Sequence, residues 1–268
     1  MNSSKPRTRS TIAALVLLGL VATVCVSLGN WQLERAEQRR ETQRVMEQGR
    51  ASPPLELTAS TSARELRDWR PASLQGHWRN DLTVLLDNRN HAGRPGYWVA
   101  TPLVLSSQPE RAVLVLRGWL PRVFSDQGQP GAGHPPADDL LAPQGLQRIQ
   151  GQLLSRIPRM YELWSVSDRR STNPLPSTLP DPASPLPVVT NLALDDYAAA
   201  TGLALLPAIV QQAQEASLPD DKLVREWAEP TLDADKNTGY ALQWFGFAAI
   251  AAGAFLVIAW RALRRRRP

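Results

Sequence analysis

The sequence predicts a membrane protein in which two transmembrane helices flank a β-rich α+β extracytoplasmic domain. Three observations carry this prediction. An apolar run occupies each end of the 268-residue chain, Thr11 to Gly29 and Tyr240 to Trp260. Positive charge collects on the outer side of both runs. The polar stretch between them is punctuated by short apolar segments rich in β-formers. At ~1.5 Å per helical residue the two runs reach roughly 28 and 31 Å, enough for a hydrocarbon core of about 30 Å.

The charges set the orientation. Lys5, Arg7 and Arg9 precede the first run, and Arg261 with Arg264 to Arg267 follow the second, with no acid in either flank. The inner flanks are mixed: Glu34, Arg35, Glu37, Arg39 and Arg40 on one side, Asp233, Asp235 and Lys236 on the other. Positive charge stays inside. Both termini (residues 1–10 and 261–268) are therefore expected in the cytoplasm, or in the matrix of a mitochondrion. Residues 30–239 are expected in the periplasm or intermembrane space, giving a multi-pass protein of the inner (plasma) membrane. The first run is read as a retained anchor. Its apolar core exceeds the about 7–15 residues of a signal peptide, and Ser27-Leu28-Gly29-Asn30-Trp31 is a poor cleavage site.

The net charge of +5 does not point to nucleic acid. Eight basic residues belong to the flanks just named, where they meet anionic headgroups, and the remainder is slightly acidic. Cys25, the single cysteine, lies in the first run, so no intramolecular disulfide can form. It reads as a small apolar residue among lipid tails.

From Trp31 to Gln48 the chain lacks Gly and Pro, so the first helix is expected to continue out of the membrane. Glu37 with Arg40 and Glu41 with Arg44 are i,i+3 ion pairs. A break is expected at Gly49 and at Pro53-Pro54. Thr83–Asp87, Tyr97–Thr101 and Ala112–Arg117 then read as strands bounded by turn residues. Ala112 to Leu116 is apolar on both faces and reads as a central, doubly buried strand. Leu146–Ile157 is another strand, and a helix from about Leu192 to Ala200 ends at Gly202. Leu205–Gln211 and Lys222–Trp227 are further strand candidates. Pro121–Pro143, and Pro174–Pro187 with six prolines in fourteen residues, read as surface loops.

Enzyme signatures are missing. His77, His91 and His134 stand apart from one another, and no His/Cys/carboxylate cluster has metal-ligand spacing. Gly128-Gln-Pro-Gly-Ala-Gly133 lacks the following Lys-Ser or Lys-Thr, and its prolines preclude a phosphate-binding helix. No Gly-x-Ser-x-Gly elbow exists. Neither catalytic residues nor a metal are therefore assigned. A membrane-tethered periplasmic hydrolase would need two or three of the histidines to converge with nearby acids.

Four motifs built on Trp, Arg and Gly follow in order. They are Leu28-Gly-Asn-Trp-Gln-Leu-Glu-Arg35, Gly96-Tyr-Trp-Val-Ala-Thr-Pro-Leu103, Leu116-Arg-Gly-Trp-Leu-Pro121 and Asn237-Thr-Gly-Tyr-Ala-Leu-Gln-Trp-Phe245. With two anchors of matching topology, they resemble the surfeit locus protein 1 family from about Leu17 to Arg261. Gly29, Trp31, Gln32 and Arg35 fit the family pattern at the end of the first span. Gly96, Tyr97, Thr101 and Pro102 fit its Gly-Tyr strand; Arg117, Gly118 and Trp119 fit its Arg-Gly-Trp motif. Tyr240, Ala241, Trp244 and Phe245 fit its entry to the second span.

The resemblance implies an inner-membrane assembly factor for haem–copper cytochrome oxidase, acting at or near haem a insertion, without catalytic turnover. The implied partners are membrane lipid, the oxidase catalytic subunit and other assembly factors, with transient haem a as the implied cofactor. Many members carry a haem-ligand histidine shortly before the tyrosine. Asn237 stands there (Thr238 if the register slips), and asparagine cannot replace imidazole on iron. A cofactor-free interaction module is the other reading.

Two uses of the motif residues remain open. Trp31, Tyr240, Trp244 and Trp260 suit an aromatic belt at the membrane faces or a specific contact. Gln32 and Arg35 are either a solvated helix face or, with Gln243 and Trp244, a polar cluster between the anchors. Arg117, if buried, needs a partner: an ion pair with an Asp such as Asp87, a haem propionate, or a carboxylate of a partner protein. Gly246, Ala249 and Gly253, with Ala248 and Ala252, give the second anchor small residues at helical spacing.

Overall fold

The computed structural model describes residues 5–107, 111–124, 130–133, 135, 140–160, 174–181, 186–214, 222–229 and 232–264. They fall into two units, residues 1–44 with 230–268, and residues 45–229.

The first unit holds helix α1 (Lys5–Ala51) up to Arg44, and helix α3 (Ala234–Arg264). Both are long and apolar enough to cross a membrane. They run antiparallel, as two contacts show. A Cβ on Gly29 would meet the Phe245 ring at 2.7 Å, and one on Gly19 would meet the Phe255 ring at 4.0 Å. The covered positions alternate in steps of three and four. On α1 they include Cys25, Gly29, Gln32, Ala36 and Arg39; on α3, Ala234, Asn237, Ala241, Ala248 and Ala251. This is the heptad seam of a coiled coil, built largely from small side chains that let the backbones approach. Val16, Leu20, Leu242, Phe247, Ile250 and Leu256 point outward and are more than half exposed.

Beyond the apolar run α1 continues as expected, with Glu37–Arg40 at 3.7 Å and Glu41–Arg44 at 3.1 Å. The expected break at Gly49 is corrected: Gly49 lies inside the helix, which ends at Ala51, ahead of Pro53. Here a Cβ would strike the Asp68 carbonyl oxygen at 2.2 Å, so the glycine serves packing rather than termination.

The second unit is built on one sheet. Its strands are β1 (Leu55–Leu57), β2 (Pro71–Trp78), β3 (Val84–His91), β4 (Arg94–Leu105), β5 (Arg111–Pro121), β8 (Leu146–Leu154), β9 (Val188–Val189) and β10 (Ala204–Gln212). They are ordered β1-β2-β8-β10-β5-β4-β3-β9, and β2 also pairs with β4 at Gly76 to Trp78. That extra ladder closes β2, β8, β10, β5 and β4 into a five-stranded barrel, with β1 added along β2 and β3 and β9 added beyond β4. The β10–β5 ladder is parallel; the other four pairings of the ring are antiparallel.

Strand β5 is buried on both faces, as its sequence predicted. Val113 and Val115 join Leu74, Leu103, Ile149 and Leu206 in one core, while Leu114 and Leu116 face helix α2 (Leu194–Thr201) in another. Asp195 and Asp196 in the first turn suit the α2 dipole, and Gly202 caps its end at φ 68°. Tyr197 of α2 is fully buried and donates its hydroxyl to the Leu82 carbonyl at 2.5 Å.

Two sequence readings of this unit change. Lys222–Trp227 is not a strand; only Val224 bridges, antiparallel to Trp119. Pro121–Pro143 is not all loop: β6 (Val123–Phe124) and β7 (Pro130–Gly133) form a two-stranded sheet within it. Strand β2 has no counterpart in the sequence reading, because its Pro71, Gly76 and His77 hide an alternation of buried Ala72 and Leu74.

Candidate functional site

The motif residues of the second unit converge on one wall of the barrel. Gly96 and Tyr97 on β4 face Pro121 and Leu120 on β5, and Trp98 faces Trp119. The register then slips: Val99 pairs with Gly118 but Ala100 with Leu116, which leaves Arg117 as the bulge residue. Gly118 holds φ 156°, and a Cβ there would meet the Leu223 side chain at 2.7 Å. Its lack of a side chain admits the 223–224 segment, so Trp119 and Val224 exchange backbone hydrogen bonds at 2.7 and 2.8 Å.

The Trp119 indole lies on Gly96, where a Cβ would meet it at 2.5 Å. Its Nε1–H donates to the Arg89 carbonyl at 2.9 Å, and its ring sits 5.0 Å from His91. The Gly-Tyr and Arg-Gly-Trp motifs are thus two halves of one packing device, since the second motif's indole needs the first motif's missing side chain.

Arg117 is buried and donates to the carbonyls of Leu140 and Leu141, with its guanidinium 5.5 Å from the Trp78 ring. The expected pairing with Asp87 is corrected. Asp87 pairs with Arg122, whose guanidinium also lies 5.4 Å from the Tyr97 ring. Burial opposes the Arg122 charge, but the Asp87 hydrogen bond and charge outweigh it and raise its pKa. Burial likewise pushes the Tyr97 phenol up, against the pull of Arg122.

A second buried cation, Arg89, escaped the sequence reading. Its Nη atoms donate to the carbonyls of Pro158 and Thr190 at 3.0 and 3.1 Å, and its guanidinium stacks 4.6 Å over Trp98. Burial lowers its pKa to about 10, with Asp87 opposing. Arg89 sits in the polar run Asp87-Asn-Arg-Asn-His91, which carries no local sign of burial; only the fold places it beneath Trp98. Asn191 works alongside it, exchanging hydrogen bonds with the Met160 backbone. Tyr97, Arg117 and Trp119 are each less than a tenth exposed. These motif residues therefore hold the barrel wall together rather than present a surface.

The histidines do not converge where they can be compared. His77 stands opposite Val104 and His91 opposite Arg94, so most of β4 separates them, roughly 30 Å at ~3.3 Å per residue. His134 lies outside the described residues. Among the described residues no group of three His, Cys, Asp or Glu side chains could hold a metal ion.

In the first unit the remaining motif residues divide by face. Trp31 and Tyr240 are more than half exposed. Arg35 is exposed and donates to Gln38 at 3.2 Å within its own helix. Trp244 is half-buried and meets Phe247 edge-on at 6.0 Å. The polar cluster between the anchors exists with different membership. Gln243 is exposed and turned from the seam; Asn237 takes its place, donating Nδ2–H to Gln32 Oε1 at 2.6 Å. Arg40 Nη2 donates to Thr238 Oγ1 at 3.0 Å, and Arg39 Nη1 to the Asp233 carbonyl at 2.7 Å.

Over 123 residues the chain is 28% identical to cytochrome oxidase assembly protein SHY1 of Saccharomyces cerevisiae, a stretch covering 44% of this chain and 31% of that protein. The alignment thus spans about a third of the length of this curated relative. A model of the SURF1 family matches residues 19–249, from within the apolar part of α1 to within that of α3, and takes in all four motifs. On that match, the chain belongs to the SURF1 family.

Proposed function

We propose that this protein is an assembly factor for haem–copper cytochrome oxidase, helping to mature the catalytic subunit at or near haem a insertion. The observation that carries the reading is the family match over residues 19–249. The name of the yeast relative supports it.

The proposed setting is the inner (plasma) membrane, crossed twice, with both termini cytoplasmic and the barrel domain periplasmic. The basic flanks support that orientation, and the outward-facing apolar side chains of α1 and α3 support contact with lipid tails. In this role the chain binds rather than turns over substrate. The hairpin docks beside a membrane-embedded oxidase subunit and steadies it, or its haem a site, during cofactor insertion. The oxidase catalytic subunit and other assembly factors are the proposed partners.

Deleting the gene and recording reduced-minus-oxidised spectra of the membranes tests this. Loss of most of the haem a band and of oxidase activity, restored by the gene in trans, is expected. Unchanged haem a and activity, with no second family member in the genome, would overturn it.

A further inference from the structure

We infer that Asn237 and Gln32 form a register lock between the two helices, and that the seam at this level does not ligate haem iron. Asn237 is 9% exposed, and its Nδ2–H reaches Gln32 Oε1 at 2.6 Å. Both residues occupy covered positions of the antiparallel heptad seam, whose neighbouring covered positions are Gly29, Ala36, Ala234 and Ala241. A carboxamide pair flanked in the seam by Gly29, Ala36, Ala234 and Ala241 is satisfied in one helix register only. A slip of one residue removes the partner and leaves two carboxamides unpaired.

Haem a, the group the family resemblance implies, does not fit this place. Its iron needs imidazole, thiolate, thioether or phenolate as axial ligand. Between Val26 and Arg39 on α1, and between Leu232 and Trp244 on α3, there is no His, Cys or Met. Tyr240 is 53% exposed and turned from the seam. Cys25 lies seven residues below Gln32, about 10 Å along the helix at ~1.5 Å per residue. Ala241 is 1% exposed and the Gly29–Phe245 contact is closed, so the seam offers no slot for a macrocycle. The buried Asn237 Oδ1, which has no hydrogen-bond partner, is an acceptor and asks for a hydrogen-bond donor rather than a metal. Two further ties, Arg40 to Thr238 and Arg39 to the Asp233 carbonyl, fasten the same end of the hairpin.

The lock stands on the hairpin geometry alone; its relevance to haem rests on the assembly reading proposed above. Its test uses the full chain in detergent micelles, as Gln32→Leu, Asn237→Leu and the double variant. A buried carboxamide left without its partner is costly, whereas replacing both partners by apolar groups is close to neutral. Each single variant is expected to lower the unfolding midpoint by roughly 3–8 °C, and the double to recover most of that loss. Additive losses in the double would overturn the lock. In parallel, haem titrated into the wild-type chain is expected to give no saturable Soret shift. A saturable shift abolished by Asn237→Leu would overturn the exclusion of iron. Neither readout needs the oxidase, so a failed assembly role and a failed lock remain distinguishable.

Discussion

Gly96 shows most sharply how a single atom can decide this structure. A Cβ at that position would meet the Leu120 carbonyl oxygen at 2.2 Å and the Trp119 indole at 2.5 Å. Gly96→Ala is expected to cost about 1–3 kcal/mol through overpacking, read as a lower urea midpoint with altered tryptophan fluorescence. The opposite sign is expected at the β3–β4 turn. Ala92 holds φ 48° ahead of Gly93 at φ 78°, a left-handed conformation that costs an L-residue with a Cβ about 1–2 kcal/mol and that asparagine tolerates better. Ala92→Asn should therefore raise stability by about 0.5–1 kcal/mol, read as a higher urea midpoint. Tyr197 contributes to the stability at alkaline pH. Burial first, and the Asp81 charge second, push its phenol well above the ordinary value of 10.0. Below that value the folded and unfolded chains both carry the proton, and stability is intact. Above it the unfolded chain sheds the proton first, so the Tyr197 contribution falls as pH rises past about 10, while Arg89, whose pKa burial lowers to about 10, acts in the opposite direction over that range. Tyr197→Phe should flatten the decline between about pH 9 and 11, leaving the smaller part due to Tyr97, and should lower stability at neutral pH by about 1–3 kcal/mol for the unpartnered Leu82 carbonyl. Unfolding curves measured across that range check both parts.

Among the elements, those with a strong local signal were legible in the sequence and those defined by distant pairing were not. Ala112–Leu116 announces a doubly buried strand because nothing in it tolerates water, and it lies between β4 and β10. The Leu192–Ala200 helix is legible from its capping glycine. By contrast β2 closes the barrel with a proline, a glycine and an exposed histidine, so its identity comes from β4 and β8 on either side. The heptad seam of α1 and α3 was hidden in another way: Cys25, Gly29 and Ala36 are small rather than markedly apolar, so lipid-facing and helix-facing sides look alike. The Arg-Gly-Trp motif was visible but its purpose was not. Its bulge and glycine admit the 223–224 segment, and its indole binds β3 to β5 across β4. Trp119→Phe keeps the ring and removes the Nε1–H donated to Arg89. It is expected to cost about 1–3 kcal/mol, and faster amide exchange in β3 than in β10 would locate the loss.

At the scale of the whole molecule, the motifs serve two separate units. Gly96, Tyr97, Arg117, Gly118 and Trp119 maintain a barrel wall, while Gly29, Gln32 and Asn237 close a helical hairpin. Most of these residues are covered; among the described motif residues Trp31, Arg35 and Tyr240 stay exposed, as do the outer faces of the two helices. Affinity capture of the tagged full chain from gently solubilised membranes measures docking directly. The cytochrome oxidase catalytic subunit is expected to be recovered with the wild-type chain, and in smaller amount when Trp31 and Tyr240 are both replaced by alanine. Membranes that contain the subunit but yield none of it with the wild-type chain would contradict the proposed docking role.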